Sequence, residues 1–363
     1  MRILPRHRIA DRVGIGVVGC GTAFKRVYGP LIESLRCHGM VEVVAACDEN
    51  EREHEFVHER FGDALWTTHF EDLVTSNRVD VVLILTPPQT HGVIARAALE
   101  AGKHVLVEKP MAVSLVEAEE LVALAKRSTG YLVCAPFVIL SPTYRRIWQA
   151  TRQGEVGKIL SARARSVSLE PLWSEWFYRR GAGALFDLGV YNITSLTGLL
   201  GPSRRVTAMA GVAVPSREIR GAVILVEAED TAQVVIDFGE SVYAAVTTGF
   251  GMKQDRSPAI ELYGTLGTIQ MLGQDWAPQG WEMWKRDAQP WFSYPESDPK
   301  WHYADGLNHL IQCVRAQRPP VVTPEHSFHV LEIMIRAQES SRDGEAKAVE
   351  STFEFPSLRD AES

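Results

Sequence analysis

A chain of 363 residues is long for a single hydrophobic core, so its length predicts two domains. Hydrophobic residues make up 45% and charged residues 23%, proportions typical of a globular protein rather than a disordered one. The net charge of −7 argues against nucleic acid as a partner, and the longest apolar run, residues 79–85, is too short to cross a bilayer. We therefore expect no nucleic-acid partner and no membrane partner.

The cysteines and histidines indicate a reduced protein without a metal. The five cysteines are scattered and never arranged as C-x-x-C, so we expect reduced, mostly buried thiols and a cytoplasmic location. The 11 histidines form no pair with the spacing of a helical zinc site, so we expect no metal. Residues 1–12 carry several arginines but no following apolar segment, which favours a loose tail over a targeting signal.

A buried strand, a glycine turn and a helix open the first domain. Residues 13–18 are apolar, and apolar residues after the turn recur with the 3.6-residue period of a helix. Backbone N–H groups and a helix N-terminus at such a turn can bind the pyrophosphate of a dinucleotide. The residues assigned to this role are Gly19, Gly21, Thr22, Ala23 and Phe24. Phe24 stands where Gly or Ala is usual, so we expect a slightly larger separation of helix and strand; the pattern alone also fits an ordinary glycine turn.

An acidic residue follows the second strand of this domain. Residues 41–47 form an apolar strand that ends in Asp48, at the separation where a carboxylate accepts hydrogen bonds from the adenosine ribose. An acid at this position would repel a 2′-phosphate, which favours NAD over NADP, although the nearby Arg52 leaves NADP possible. Asp48 is also compatible with a helix N-cap.

Two further strands end in loops that a doubly wound sheet would place at its ligand crevice. The strand at 79–85 runs into Thr86-Pro87-Pro88 and His91, and the strand at 103–107 runs into Glu108-Lys109-Pro110. Thr90 is predicted to cap the next helix. For His91, a structural place in the first helical turn is the simpler interpretation than catalysis. The residues added to the cofactor site are Thr86, Pro87, Pro88, His91, Glu108 and Lys109.

The pattern changes from about residue 158. Alternating segments at 158–168, 204–212, 223–229, 231–238, 241–249, 260–263 and 268–272 predict an antiparallel sheet, with one early helix at about 184–200 and helices near 301–317 and 325–341. We therefore predict an α/β chain with an N-terminal Rossmann domain over 1–136. An α+β substrate-binding and oligomerisation domain with a large open, mainly antiparallel sheet is predicted over 137–363.

Three stretches together resemble the Gfo/Idh/MocA oxidoreductase family. They are Gly19-Cys20-Gly21, Glu108-Lys109-Pro110 and the segment at 181–191, G-A-G-A-L-F-D-L-G-V-Y, and the resemblance extends over most of the chain. The resemblance implies a Rossmann domain followed by an open-faced sheet. It also implies hydride transfer between NAD(P) and a sugar, polyol or cyclic diol, and a homodimer or homotetramer formed through the sheet.

The resemblance also implies catalytic roles for three residues. Lys109 would touch the nicotinamide end and the reacting oxygen. Many members carry histidine as the acid/base four residues after an aspartate; here the pair is Asp187 and Tyr191, so tyrosine would exchange the proton. A phenol is a poor base near pH 7, and a neighbouring lysine cation would lower its pKa. The helix alone would favour a buried tyrosine bonded to Asp187, but the E-K-P stretch favours catalysis.

Some features leave the substrate and even the activity open. The stretch at 136–140 is apolar where relatives often have polar substrate contacts, and the tryptophans at 173, 176, 276, 281, 284, 291 and 301 suit substrate binding, loop packing or subunit contacts. A sensor that binds the dinucleotide without turnover is one alternative. Redox-assisted glycoside cleavage with recycled NAD is another.

Overall fold

The computed structural model describes residues 12–252 and 255–358, and the chain divides into two compact units. The first unit contains the N-terminal residues as far as Ala135 together with Ala304–Pro324, and the second contains Pro136–Tyr303 and the residues from Glu325 onwards. The tail proposed for residues 1–12 lies outside the described residues except for Arg12. The segment Ala304–Pro324 therefore groups with the N-terminal unit, whereas the sequence boundary at 136/137 leaves it in the second domain.

Six parallel strands form the sheet of the first unit: β1 (Val13–Val18), β2 (Val41–Cys47), β3 (Leu65–Thr67), β4 (Val81–Ile84), β5 (His104–Val107) and β6 (Leu132–Cys134). Their spatial order is β3-β2-β1-β4-β5-β6. The chain changes direction across the sheet between β1 and β4, the position where doubly wound sheets bind ligands beyond the strands' carboxyl ends. The parallel sheet predicted from the sequence is confirmed.

Five helices connect these strands: α1 (Gly29–Cys37), α2 (Glu53–Phe61), α3 (Phe70–Thr75), α4 (His91–Glu100) and α5 (Leu115–Arg127). A five-residue π-helical turn, Phe24–Tyr28, precedes α1. The apolar residues of β1 and β4 are fully buried, as expected for strands covered on both faces. The Ser114 hydroxyl accepts a hydrogen bond from Glu117 N, which explains why α5 begins there.

The second unit begins with α6 (Pro142–Arg152), β7 (Ile159–Val167) and α7 (Val190–Leu200), and a second π-helical turn, Leu185–Gly189, precedes α7. Its further strands are β8 (Arg205–Gly211), β9 (Ser216–Ile219), β10 (Ala222–Leu225), β11 (Thr231–Asp237), β12 (Tyr243–Gly249), β13 (Ile260–Gly264), β14 (Gly267–Gln274), β15 (Ala277–Lys285), β16 (Ala288–Pro295) and β17 (Lys347–Ala348). The last helices are α8 (Gly306–Ala316), in the first unit, and α9 (Pro324–Asp343).

Nine strands of the second unit form one mixed sheet in the order β16-β15-β14-β13-β7-β12-β11-β8-β17, while β9 and β10 form a separate hairpin. All pairings in the large sheet are antiparallel except that between β7 and β12. The mainly antiparallel sheet is thus confirmed. The tryptophan-rich stretch, for which the sequence predicts no strand, forms β15 and β16.

The large sheet has one covered and one open face. Residues of β11 alternate between buried and exposed, and the buried face carries Ala232, Val234 and Ile236. The helix α7 lies against β7 and β12. Within the described residues, no helix is both long and apolar enough to cross a membrane.

Candidate functional site

The two glycines of the first turn are constrained in different ways. Gly19 has a φ of 95°, and a Cβ placed on it would lie 2.7 Å from the carbonyl carbon of Leu85. A Cβ on Gly21 would meet no atom of the described residues within 4 Å. Gly19 is therefore required by the fold, whereas Gly21 leaves open space beside a turn of backbone N–H groups. That open space fits the close approach of a pyrophosphate.

Asp48 is held against the same turn. Its Oδ2 accepts a hydrogen bond from Cys20 N at 2.7 Å, and its Oδ1 accepts one from Asn50 N at 2.9 Å. The helix α2 starts only at Glu53, after Arg52, so Asp48 is not the N-cap of that helix. The carboxylate is half-buried and each oxygen keeps a further lone pair, so it can still accept hydrogen bonds from ribose hydroxyls. The Arg52 residue is exposed.

The next residues of the motif differ in what they can offer a ligand. Thr22 is exposed and Ala23 half-buried, whereas the Phe24 ring is completely buried. That ring packs 5.5 Å from the Phe61 ring and edge-on to Phe56 at 6.0 Å. The side chain of Phe24 therefore belongs to the hydrophobic core.

The loop after β4 is closed by its own hydroxyl groups. The Thr90 hydroxyl donates to the Pro87 carbonyl at 3.0 Å and lies 2.8 Å from the Thr86 hydroxyl. The prediction that the Thr90 side chain caps α4 is wrong, because the hydroxyl is used inside the loop. Thr86 is half-buried and Pro87 exposed, whereas Pro88 is buried.

His91 does not present its ring to solvent. The ring is 1% exposed, with Nε2 2.8 Å from the Thr86 carbonyl oxygen and Nδ1 2.7 Å from the Pro110 carbonyl oxygen. Burial lowers the pKa of this ring, and hydrogen bonds to the two carbonyls oppose that effect. The ring contacts backbone on both sides, which fits a structural place in the first helical turn, and the assignment of His91 to the cofactor site stays a prediction.

The E-K-P turn after β5 is fixed through Glu108. Glu108 Oε1 accepts a hydrogen bond from the Tyr28 hydroxyl at 2.7 Å, and Oε2 accepts one from Lys109 N at 3.1 Å. Tyr28 is buried at the end of the first π-helical turn, so the glycine-turn helix and the E-K-P turn are directly linked. Lys109 itself is half-buried. The apolar spacing of Tyr28 in the sequence indicates only a core position and gives no signal for its hydrogen bond to Glu108.

In the second unit, Tyr191 occupies an unusual position on α7. The residues from Val190 to Leu199 are buried except Tyr191, which is half-buried. Asp187 is also half-buried, but it lies in the preceding π-helical turn rather than in regular α-helix. The two side chains are therefore carried by two successive elements, Asp187 by the π-helical turn and Tyr191 by the first turn of α7. Such turns occur frequently at functional sites.

An aromatic cluster and a buried acid adjoin Tyr191. The Tyr191 ring lies 6.4 Å from Trp276, which packs edge-on against Tyr303 at 6.0 Å. The preceding residue, Asp275, is fully buried, and its Oδ2 accepts hydrogen bonds from Asn192 Nδ2 at 2.9 Å and Ser195 Oγ at 3.2 Å. Burial raises the pKa of Asp275 to about 7, although these hydrogen bonds favour the ionised form. Asp275 thus fastens the turn that carries Trp276 to α7.

Several other aromatic residues pack within the second unit. Trp173 and Trp176 both pack edge-on against Phe177, and Trp281 stacks on Tyr294 across β15 and β16 at 4.2 Å. These contacts support loop and sheet packing for those tryptophans. Among the described residues there is no group of three or more His, Cys, Asp or Glu side chains arranged to hold a metal ion.

Comparison with known proteins gives relatives for both units. The family model described as "Oxidoreductase family, NAD-binding Rossmann fold" matches residues 13–134, and the "GFO/IDH/MocA C-terminal domain" matches residues 144–270. The trans-1,2-dihydrobenzene-1,2-diol dehydrogenase of Mus musculus is 26% identical over 83% of this chain and 88% of that protein. The scyllo-inositol 2-dehydrogenase (NADP(+)) of Bacillus subtilis is 22% identical over 94% and 97%.

Solved structures share the fold over almost the whole chain. An NAD binding oxidoreductase from Klebsiella pneumoniae has a TM-score of 0.83 at 21% identity, covering 94% of this chain and 100% of that one. A levoglucosan dehydrogenase in complex with NADH and levoglucosan has a TM-score of 0.82 at 19% identity, covering 93% and 99%. With both domain families matched in order and the glycine and E-K-P turns in place, the chain belongs to the GFO/IDH/MocA family of oxidoreductases, whose Rossmann domain binds NAD.

Proposed function

We propose that the chain oxidises a secondary alcohol of a cyclic diol, polyol or sugar, or reduces the corresponding ketone, with NAD(P) as the hydride carrier. The observation that carries this proposal is the grouping of the glycine turn, Asp48 and the E-K-P turn at the carboxyl edge of one parallel sheet. The substrate class follows from the relatives, whose names specify a benzene dihydrodiol and an inositol.

The residues of the first unit suit the binding of the cofactor. Backbone N–H groups at Gly21, Thr22 and Ala23 would hold the pyrophosphate, and Asp48 would accept hydrogen bonds from the ribose hydroxyls. Thr86, Pro87 and Pro88 would border the cofactor from the next loop. Bound NAD(P) supplies a nicotinamide carbon that accepts or returns a hydride.

Proton transfer must accompany the hydride. When the alcohol C–H bond loses its hydride, the hydroxyl proton leaves for a base and a carbonyl forms. We assign this proton to Tyr191 Oη, with Asp187 binding a substrate hydroxyl and Lys109 stabilising negative charge on the reacting oxygen. The half-buried position of Tyr191, beside the buried residues 192–199 of the same helix, supports this assignment.

The substitution Tyr191→Phe tests the proton-transfer role. We expect turnover to fall by about 100-fold or more, the usual contribution of a general acid–base group, while the Kd for NADH is unchanged. Tyr294→Phe, at an exposed position of β16, is the matched control and should retain full activity. Near-normal turnover by Tyr191→Phe would contradict the assignment.

Asp48 carries the proposed preference for NAD over NADP. Asp48→Asn keeps an acceptor for Cys20 N but removes the negative charge that repels a 2′-phosphate. We expect the ratio of kcat/KM for NAD to that for NADP to fall by about tenfold, which corresponds to about 1.4 kcal/mol. If the ratio of the two kcat/KM values is unchanged in Asp48→Asn, Asp48 does not determine the preference for NAD over NADP.

We also propose a homodimer or homotetramer formed through the open face of the large sheet, and a cytoplasmic location. Met209, Val235 and Tyr243 are exposed on β8, β11 and β12, and Met209 is 81% exposed. Exposed apolar side chains on neighbouring strands favour a contact with another subunit. All five cysteines are free thiols and four are buried, which supports a reducing compartment. Sedimentation velocity that shows only monomer would refute the oligomer.

A further inference from the structure

The turn that carries Lys109 is held at several points by residues outside it. Glu108 joins the Tyr28 hydroxyl to Lys109 N at one end of the turn. At the other end, Glu117 Oε2 of α5 accepts a hydrogen bond from Val113 N at 3.2 Å. Between these two points the Pro110 carbonyl lies 2.7 Å from His91 Nδ1. The backbone on both sides of Lys109 is therefore tied to neighbouring elements.

His91 contacts two loops, the loop after β4 and the E-K-P turn after β5. Its other ring nitrogen, Nε2, lies 2.8 Å from the Thr86 carbonyl, in the loop after β4. A neutral imidazole donates one hydrogen bond and an imidazolium two, so the ring serves one carbonyl when neutral and both when protonated. Burial lowers the pKa of His91 and favours the neutral ring, while the carboxylates of Glu108 and Glu117 oppose this.

The burial of this ring separates a positioning role from a binding role. The side chain is 1% exposed and both of its nitrogens face backbone oxygens, so the ring affects a ligand only through the loops it joins. The next residue, Gly92, lies directly against Glu117. A Cβ placed on Gly92 would fall 2.0 Å from Glu117 Oε1, so no side chain fits there. The first turn of α4 thus packs closely against α5, and His91 lies within hydrogen-bond distance of the E-K-P turn.

We propose that His91 is a positioning residue that couples the 86–91 loop to the 108–113 turn and thereby fixes Lys109 for the nicotinamide end of the cofactor. The role of Lys109 rests on the proposed function, but the coupling of the two loops does not. Both ring nitrogens lie within 2.8 Å of a carbonyl oxygen, so a protonated ring donates to both loops, and removing its nitrogens should then release both at once. Removing a hydrogen bond inside one loop should release that loop alone.

Hydrogen–deuterium exchange of the whole protein, followed by mass spectrometry, tests the coupling. His91→Phe keeps a buried ring without donors, and we expect faster exchange in peptides covering 86–91 and 108–113 by about tenfold or more, the scale of one lost buried hydrogen bond. Thr90→Val is the matched control, because it removes only the hydroxyl contacts to Thr86 and Pro87. It should accelerate exchange at 86–91 and leave 108–113 unchanged. If His91→Phe folds poorly, His91→Gln, which retains an amide donor, should show a smaller change of the same pattern.

Titration with NADH, followed by fluorescence, tests the link to Lys109. We expect His91→Phe to raise the Kd for NADH by about tenfold in the wild-type background and by less than about threefold in Lys109→Ala, because the lost positioning then has no lysine to act on. His91→Gln should restore part of the affinity. Unchanged exchange at 108–113, or an equal increase in Kd in both backgrounds, would overturn the proposal. These readouts do not depend on turnover, so failure of the proposed reaction would be seen separately.

Discussion

Gly19 and Gly21 are separated by one residue, and we expect substitution at the first to affect stability and at the second to affect cofactor binding. A methyl group on Gly19 would meet the backbone of Leu85 and would occupy a φ of 95°, so we expect Gly19→Ala to lower the free energy of unfolding by about 1–3 kcal/mol. Gly21→Ala should leave stability within about 0.5 kcal/mol, because the new methyl enters open space, and should weaken NADH binding. Thermal unfolding and NADH titration of the two variants check this. Equal loss of stability in both variants would contradict the prediction that only Gly19 is required by the fold.

The sequence points to some residues of the candidate site but not to others. Gly19, Asp48 and Lys109 could be proposed as site residues because a motif and its strand context point to them. Tyr28 and Asp275 could not, since their partners Glu108 and Asn192 are 80 and 83 positions away in the chain. The sequence assigns His91 and Phe24 to the cofactor site but cannot show that both side chains are buried.

At the scale of elements, α7 depends on a buried acid. The pKa of Asp275 is raised to about 7 in the folded chain, against about 3.9 unfolded, so the native state binds more protons between these values. The free energy of unfolding of the wild type should therefore fall as the pH rises from about 4 to about 7. Asp275→Asn, which remains neutral, should gain stability relative to the wild type across that window, by up to about 1.4 kcal/mol per pH unit.

Chemical denaturation of the wild type and of Asp275→Asn at pH 5 and pH 7.5 measures this gain in stability. A constant difference between wild type and variant would show that Asp275 is ionised throughout. Asp275→Ala is a further comparison, because it leaves Asn192 and Ser195 without their acceptor and should cost about 1–3 kcal/mol.

The helix α9 should respond to pH with the opposite sign. His329 Nε2 accepts a hydrogen bond from Ser203 N at 3.0 Å, so the ring must be neutral at that nitrogen. Burial lowers the pKa of His329 to about 4, against about 6.5 unfolded, so the unfolded chain binds more protons between these values. The stability contributed by the neutral ring should be lost as the pH falls from about 6.5 to about 4.

His329→Gln separates this effect from that of Asp275. The stability difference between the wild type and His329→Gln should shrink on acidification, by up to about 1.4 kcal/mol per pH unit. Urea denaturation at several pH values gives the difference directly. A difference that stays constant between pH 7 and pH 4.5 would refute the neutral buried ring.

At the scale of the whole molecule, the order of elements was predictable and the grouping of the last helices was not. Apolar strands with β-branched residues, separated by helical periods, indicated the parallel sheet, and alternation indicated the second sheet. The strands β15 and β16 were missed because tryptophans on both faces obscure the alternation. The helix α8 lies against β5 of the first unit, a long-range contact that no local pattern encodes.

The open sheet face gives a prediction for the assembled protein. Val235→Lys places a charge among exposed residues of β11, and Lys on a sheet face opposes contact with another apolar surface. We expect the variant to shift the proposed oligomer towards monomer in sedimentation velocity, with the free energy of unfolding of the monomer nearly unchanged. A wild-type distribution for the variant would show that this face is not the subunit contact.

The most direct test of the proposed function is a spectrophotometric screen of the purified protein at 340 nm. NAD and NADP would be tested with aldoses, inositols, sugar acids and cyclic diols, beside the variants Lys109→Ala and Tyr191→Phe. We predict substrate-dependent reduction of the cofactor by the wild type with at least one cyclic diol or polyol, and loss of that signal in both variants. Cofactor binding without any turnover across the panel would contradict the proposal and favour a sensor; cleavage of a glycoside without net cofactor reduction would favour redox-assisted hydrolysis. Equal turnover by Lys109→Ala would contradict the catalytic role of the E-K-P turn.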